Sequence, residues 1–187
     1  NYVGPSAENL GELLQNPKIK NDVNKWFKKL EIPYDIGVQK SGNYYEIIFK
    51  PKNSNIKIAS MHVGLGYSVV LPFIVQCIIS KNKIITIEEP EVHLHPKLEA
   101  DFAELIIESS KIRDNQFILE SHSEEFLLRI LKSIRKGKLK TDDVSINYIS
   151  NNKKNQKHIN KIKVNKYGQY ETPWKDDLFA DRIEELQ

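Results

Sequence analysis

The sequence has one cysteine, Cys77, and one methionine, Met61, in 187 residues. A lone cysteine in an apolar run cannot close an internal disulfide, which excludes a disulfide scaffold and points to a reducing compartment. Long hydrophobic runs are lacking too. The longest, Val69 to Ile79, is interrupted by Pro72 and Gln76 and falls well short of the ~20 residues that span a bilayer. Nothing has the layout of a signal peptide, so a soluble, cytoplasmic protein without a membrane partner is expected. An excess of charge of one sign is missing as well: 28 Lys and Arg stand against 25 Asp and Glu, a net charge of +3. Bulk charge therefore gives no argument for nucleic-acid binding. Internal repeats and low-complexity segments are absent. The length suits one domain with a real core. Asn1 to Ser6, with a strand-like Tyr2-Val3 and a Gly4-Pro5 turn in place of a start methionine, reads as a chain entered partway through.

What is present centres on Ile84-Ile85-Thr86-Ile87-Glu88-Glu89-Pro90-Glu91-Val92-His93-Leu94-His95-Pro96. Four β-favouring residues lead into three carboxylates and two prolines, the pattern of a short buried parallel strand that delivers acid to a sheet edge. In open α/β sheets a ligand sits beyond the carboxyl ends of the strands, which is where Glu88 and Glu89 fall. Side chains alternate along a strand, so only one of two adjacent glutamates faces a bound cation directly. The other is expected to be swung round by the turn at Pro90.

Around this stretch the chain alternates helices and strands. Asn16-Pro17 is an N-cap with proline at the first helical position, and Val23, Trp26, Phe27 and Leu30 follow at helical spacing. Tyr44 to Lys50 and Ile56 to Met61 are strand-like and joined by a polar loop, which predicts a hairpin or meander. Val63-Gly64-Leu65-Gly66-Tyr67-Ser68 then leads into an apolar helix. Pro72 is tolerable in a first turn or as a kink, which sets the helix start near Ser68 and puts Gly64, Gly66 and Ser68 at an anion-favouring N-terminus. Pro96 starts a helix with Leu98, Phe102, Leu105 and Ile106 inward. Gln116 to Leu119 is a second strand, ending in Glu120-Ser121-His122-Ser123-Glu124; Ser121 and Glu124 have capping-box spacing before a helix through Phe126, Leu127, Ile130, Leu131 and Ile134 that Gly137 closes. Two strand-turn-helix units in succession imply a parallel crossover, so both strand ends share one edge and His122 comes near Glu89. Val144 to Ile149 and Ile162 to Val164 read as further strands, Lys153 to His158 as a basic loop, Tyr167-Gly168-Gln169 as a turn, and Trp174 to Leu186 as a terminal helix with Phe179 and Ile183 inward.

Gly64 to Pro72, Ile84 to Pro96 and Ile118 to Leu128 are similar, in order and spacing, to the signature stretch, the Walker B strand with D-loop, and the histidine switch of ABC-type ATPase heads. Within that class His93-Leu94-His95-Pro96 and Ser121-His122-Ser123-Glu124 resemble the OLD-like AAA ATPases, relatives of RecF and the SMC heads. Gly168, Trp174 and Phe179 resemble the ending of a subgroup with an uncharacterised C-terminal domain. The resemblance implies an α/β fold: the C-terminal lobe of an ABC-type P-loop ATPase head, with parallel core strands, flanking helices and additional antiparallel strands. Residues 1–140 would form the lobe and residues 141–187 a strand-turn-helix extension on the same domain. It also implies ATP and Mg²⁺ as cofactors, Glu88 on the metal side, Glu89 as the catalytic carboxylate, and His122 as the γ-phosphate sensor. Gly64, Gly66, Ser68 and His95 would contact nucleotide. The implied partners are an N-terminal ATPase half, a second copy joined through signature and D-loop, and DNA or an effector protein, with anti-phage defence as the setting of several relatives.

The sequence departs from that pattern in four respects. No Gly-x-x-x-x-Gly-Lys-[Ser/Thr] occurs, so the loop that cradles the β- and γ-phosphates is missing and the isolated chain is expected to be inactive. The Walker B aspartate is Glu88, and Gly64 to Ser68 matches the signature loosely. No Toprim nuclease of the kind that follows the head in OLD proteins is visible. Two other functions fit the same residues: a metal-dependent hydrolase using Glu89, Glu91, His93 and His95, and an ATPase-like regulatory module without turnover.

Overall fold

In the computed structural model, residues 2–4, 7–151 and 156–171 are described. They form two compact units, Asn1–Ser123 and Glu124–Gln187. The Gly4-Pro5 turn, much of the basic loop and the Trp174 to Leu186 helix fall wholly or partly outside the described residues.

The first unit opens with a short helix α1 (Leu10–Leu13) and the longer α2 (Pro17–Lys29). The Asn16 side chain accepts hydrogen bonds from the Lys18 and Ile19 amides, and Pro17 has no N–H to leave unsatisfied, so α2 starts where the sequence pattern puts it. Val23 and Phe27 are fully buried on its inner face. Strands β1 (Tyr34–Ser41), β2 (Tyr44–Pro51) and β3 (Ile58–Ala59) follow in an antiparallel meander of that order. The expected β2–β3 pairing is there, but β3 is two residues long and runs into a 3₁₀ turn at Ser60–His62. β1 was hidden in the sequence by Pro33, Gly37 and its polar end. It is held by full pairing with β2 across Gly42, whose φ of +59° suits a tight hairpin.

Helix α3 (Leu65–Ile79) is apolar on every side and forms the centre of this unit, with α2 and α4 packed against it. It begins three residues earlier than the sequence predicts. Gly64 is its N-cap, and Pro72 lies in its interior. The proline has no N–H for the Ser68 carbonyl, and the helix runs on because Val70, Leu71, Ile74 and Val75 are buried on either side of the break.

Strand β4 (Ile84–Glu88) is joined to β5 (Gln116–Glu120) by α4 (Pro96–Arg113), and the two strands pair in parallel with Glu88 opposite Glu120. The predicted crossover is therefore present. The strand is not buried on both faces as the sequence suggested. Ile85 and Ile87 face the core, while Ile84 and Ile118 are 66% and 63% exposed. Strict alternation sends Ile84, Thr86 and Glu88 to the other face, which no described element covers.

In the second unit, α5 (Glu124–Arg135) buries Phe126, Ile130, Leu131 and Ile134 and ends at Gly137. The amides of Gly137 and Lys138 donate to the Ile134 and Ser133 carbonyls, the double bond of a Schellman cap. Strands β6 (Ile146–Asn151) and β7 (Lys157–Ile162) form an antiparallel ladder. The turn at Gly168 has φ +70°, and a Cβ there would lie 2.3 Å from the Leu131 carbonyl oxygen. Both the φ and the close approach require glycine.

Candidate functional site

The first unit brings its acidic and imidazole side chains together beyond the carboxyl ends of β4 and β5. The ladder runs one rung past the strands: the Glu89 amide donates to the Glu120 carbonyl at 2.8 Å. Glu89 itself has φ +43°. A non-glycine residue in the left-handed region costs about 1–3 kcal/mol and persists only where its surroundings hold it. Here the next residue, Pro90, is fully buried, which fixes the point where the chain turns. The turn that redirects the second glutamate is thus made at Glu89, one residue before the proline the sequence pointed to.

His122 follows β5 by two residues, and its Nε2 lies 3.7 Å from Glu89 Oε1, with both side chains substantially exposed. The loop carrying it is fixed by three contacts. The His122 amide donates to Glu91 Oε1 at 2.5 Å, the Ser123 amide to Ser121 Oγ, and the Ser123 hydroxyl to the Glu99 carboxylate on α4. Ser121 thereby makes a local turn to Ser123, directly before α5.

Three of the remaining sequence candidates, Gly64, Gly66 and His95, share one cleft. Gly64, Gly66 and Tyr67 line an open cleft of about 580 Å³ with His93, His95 and Lys97. A Cβ on Gly66 would lie 2.4 Å from the His93 carbonyl oxygen, so the start of α3 and the loop after Glu89 touch backbone to backbone. His93 has φ +66°, a second strained residue in that loop. Ser68 lies in the first turns of α3, and its hydroxyl donates to the Ser60 carbonyl at 2.9 Å. His95 is the N-cap of α4, its Nδ1 accepting from the Lys97 amide at 3.3 Å. Glu88 is exposed on the last rung of the ladder. Glu89, Glu91, His93 and His95 do not converge, and among the described residues no three His, Cys, Asp or Glu side chains form a metal-binding group.

Two neighbours of the site escaped the sequence reading of an ATPase. Glu120 stands beside Glu88 because the two strands pair in register, a fact that no local pattern carries. Glu91 holds the backbone of His122, 31 residues away in sequence. Its one signal was a third carboxylate where a solvated turn needs none.

Comparison with known proteins gives the family and the fold of the chain. The AAA ATPase domain family matches residues 7–127, which is more than half of the chain. The chain belongs to that family. No curated protein sequence matches it. Among solved structures, one from work on ATP-driven dimerization and DNA-stimulated activation of SMC ATPases superposes with a TM-score of 0.59 at 16% identity, covering 94% of each chain. An SMC head bound to the C-terminal winged-helix domain of ScpA gives a TM-score of 0.62 at 15% identity over 88% of this chain and 48% of that one. The SMC head of Pyrococcus yayanosii, with coiled coil and joint, gives 0.58 at 14% identity over 90% of this chain and 29% of that one. The fold is accordingly that of an ABC-type SMC ATPase head, and the chain spans about half of one such head chain and under a third of another. No helix among the described residues is long and apolar enough to cross a membrane.

Proposed function

We propose that this chain is the C-terminal lobe of an OLD-like ATPase head that binds ATP with Mg²⁺ and hydrolyses it as a head-to-tail dimer. The observation that carries the reading is the pairing of Glu89 and His122, 3.7 Å apart at the carboxyl edge of a parallel strand pair and open to solvent. In an AAA ATPase such a carboxylate takes up the proton of the attacking water. An imidazole beside it donates to a phosphate oxygen as charge grows in the transition state. Glu88 is the residue assigned to the Mg²⁺ side. The donor set fits that ion: Mg²⁺ takes one or two carboxylates and completes its shell with phosphate oxygens and water, and the acids here are Glu88 and its register partner Glu120. The bound nucleotide and metal supply the phosphoanhydride and its charge neutralisation.

Exposed Ile84 and Ile118 support a second lobe seated on the open face of β4–β5, carrying the phosphate-cradling loop that this sequence lacks. Gly64, Gly66 and Ser68 are assigned to the nucleotide bound by the other copy, and His95 to the same cleft. The OLD-like assignment rests on the His93-Leu94-His95-Pro96 and Ser121-His122-Ser123-Glu124 wording, and DNA or an effector is the partner it suggests. The test is made on the full-length protein. His122→Ala should lower ATP turnover about 10²-fold or more while leaving ATP affinity and melting temperature nearly constant. An unchanged rate would remove His122 from the site.

A further inference from the structure

We infer that Glu91 is a positioning residue for the hydrolysis reaction: its carboxylate ties the loop after Glu89 to the backbone of His122 and so sets where the imidazole stands. The inference rests on the ATPase reading above. Glu91 lies on the loop whose Val92 and Leu94 amides bond back to the Glu89 and Glu91 carbonyls, so the carboxylate is carried on two consecutive tight turns and has little freedom. Its Oε1 accepts the His122 amide at 2.5 Å, a charge-assisted bond to a residue whose imidazole stands beside the Glu89 carboxylate. The backbone on both sides of Glu91 is strained, with positive φ at Glu89 and His93. A loop serving only to connect a strand to a helix has no need of that strain.

The second carboxylate oxygen strengthens the inference. Glu91 Oε2 is buried and has no hydrogen-bond partner among the described residues. Buried polar atoms in native proteins are almost always paired, and an orphan marks a place where something other than fold stability set the residue. An apolar side chain of similar size would remove that orphan oxygen, but with it the acceptor for the His122 amide. The residue keeps an acceptor oxygen on the His122 amide at that cost. Because the loop at Glu91 also abuts the start of α3 through His93 and Gly66, movement of that loop would shift His122 relative to Glu89. Glu91 is thus the link through which the signature end of the unit reaches the acid–imidazole pair.

The experiment is steady-state ATP turnover of the full-length protein, with a double-mutant cycle between Glu91 and His122 and Glu89→Gln as control. Glu91→Ala should lower kcat on the order of tenfold or more, since misplacing a reacting group by about 1 Å is enough for that, with KM unchanged. Glu91→Gln, which still offers an acceptor to the same amide, should restore most of the lost rate. In a His122→Ala background, Glu91→Ala should cost little further, because the residue acts through His122. The inference is overturned if Glu91→Ala leaves kcat intact while Glu89→Gln abolishes it, if Gln fails to rescue, or if the two losses multiply. Should Glu89→Gln itself leave turnover intact, the ATPase reading of the site falls and this inference with it.

Discussion

At the start of β4 and β5 the chain is pinned by Asn115, whose amide donates to the Ser80 carbonyl and Ser109 hydroxyl and accepts from the Lys83 amide, with all three contacts between 3.0 and 3.1 Å. Ser80, Ser109 and Asn115 are each at most 5% exposed. Ser109 in turn donates to the Cys77 carbonyl. At the other end of the same two strands, Glu88, Glu89 and Glu120 are exposed, Glu89 is strained, and Glu91 carries a buried oxygen with no partner among the described residues. One end satisfies its polar groups and closes them off from water. The other leaves charge in the open and tolerates strain. Local consistency marks the part of a fold that specifies structure, and its violation marks the part selected for something else.

The largest effect that sharpens this contrast belongs to the open end. Glu89→Gln in the full-length protein should lower kcat by roughly 10²–10⁴-fold, because the amide keeps the shape of the carboxylate and cannot take a proton. ATP affinity and melting temperature should stay near wild type. Simultaneous loss of binding, turnover and stability would instead make Glu89 part of the scaffold.

Asn115→Ala should behave in the opposite way. It strands the Lys83 amide and the Ser80 carbonyl in a buried site, at a cost of about 3 kcal/mol in unfolding free energy, while the turnover of the folded fraction is preserved. Chemical denaturation and kcat on one preparation measure both. The contrast breaks if Asn115→Ala lowers kcat as strongly as it lowers stability.

Much of the site was legible because it rests on local rules. Asn16-Pro17 and Pro96 started their helices as read, Gly137 closed its helix, and the βαβ order carried His122 to Glu89 without any contact information. The misses were nonlocal. β1 owes its existence to β2, and α3 runs through Pro72 because burial on every side outweighs the loss of one hydrogen bond. The exposed face of Ile84 and Ile118 was read as buried, since an apolar run states how hydrophobic a strand is and not what covers it. Cys77 shows the same limit: its isolation excluded an internal disulfide, but only its burial, which pushes the thiol up to about 12, makes it unreactive as well.

The smallest of the expected effects lies between the two ends. Gly66 is both a candidate nucleotide contact and the point where α3 meets the loop after Glu89, and those roles predict different outcomes for Gly66→Ala. A Cβ 2.4 Å from the His93 carbonyl oxygen cannot be accommodated without moving backbone, an overpacking cost of about 1–3 kcal/mol. The better helix propensity of alanine offsets about 1 kcal/mol of that. A net loss of about 1 kcal/mol in stability is expected, and the displaced loop should carry Glu91 with it and lower kcat several-fold. If Gly66 served nucleotide alone, Gly66→Ala would raise KM for ATP and leave the melting temperature untouched. Reading stability, KM and kcat together therefore tells whether the glycine belongs to the packing of the loop or to the ligand.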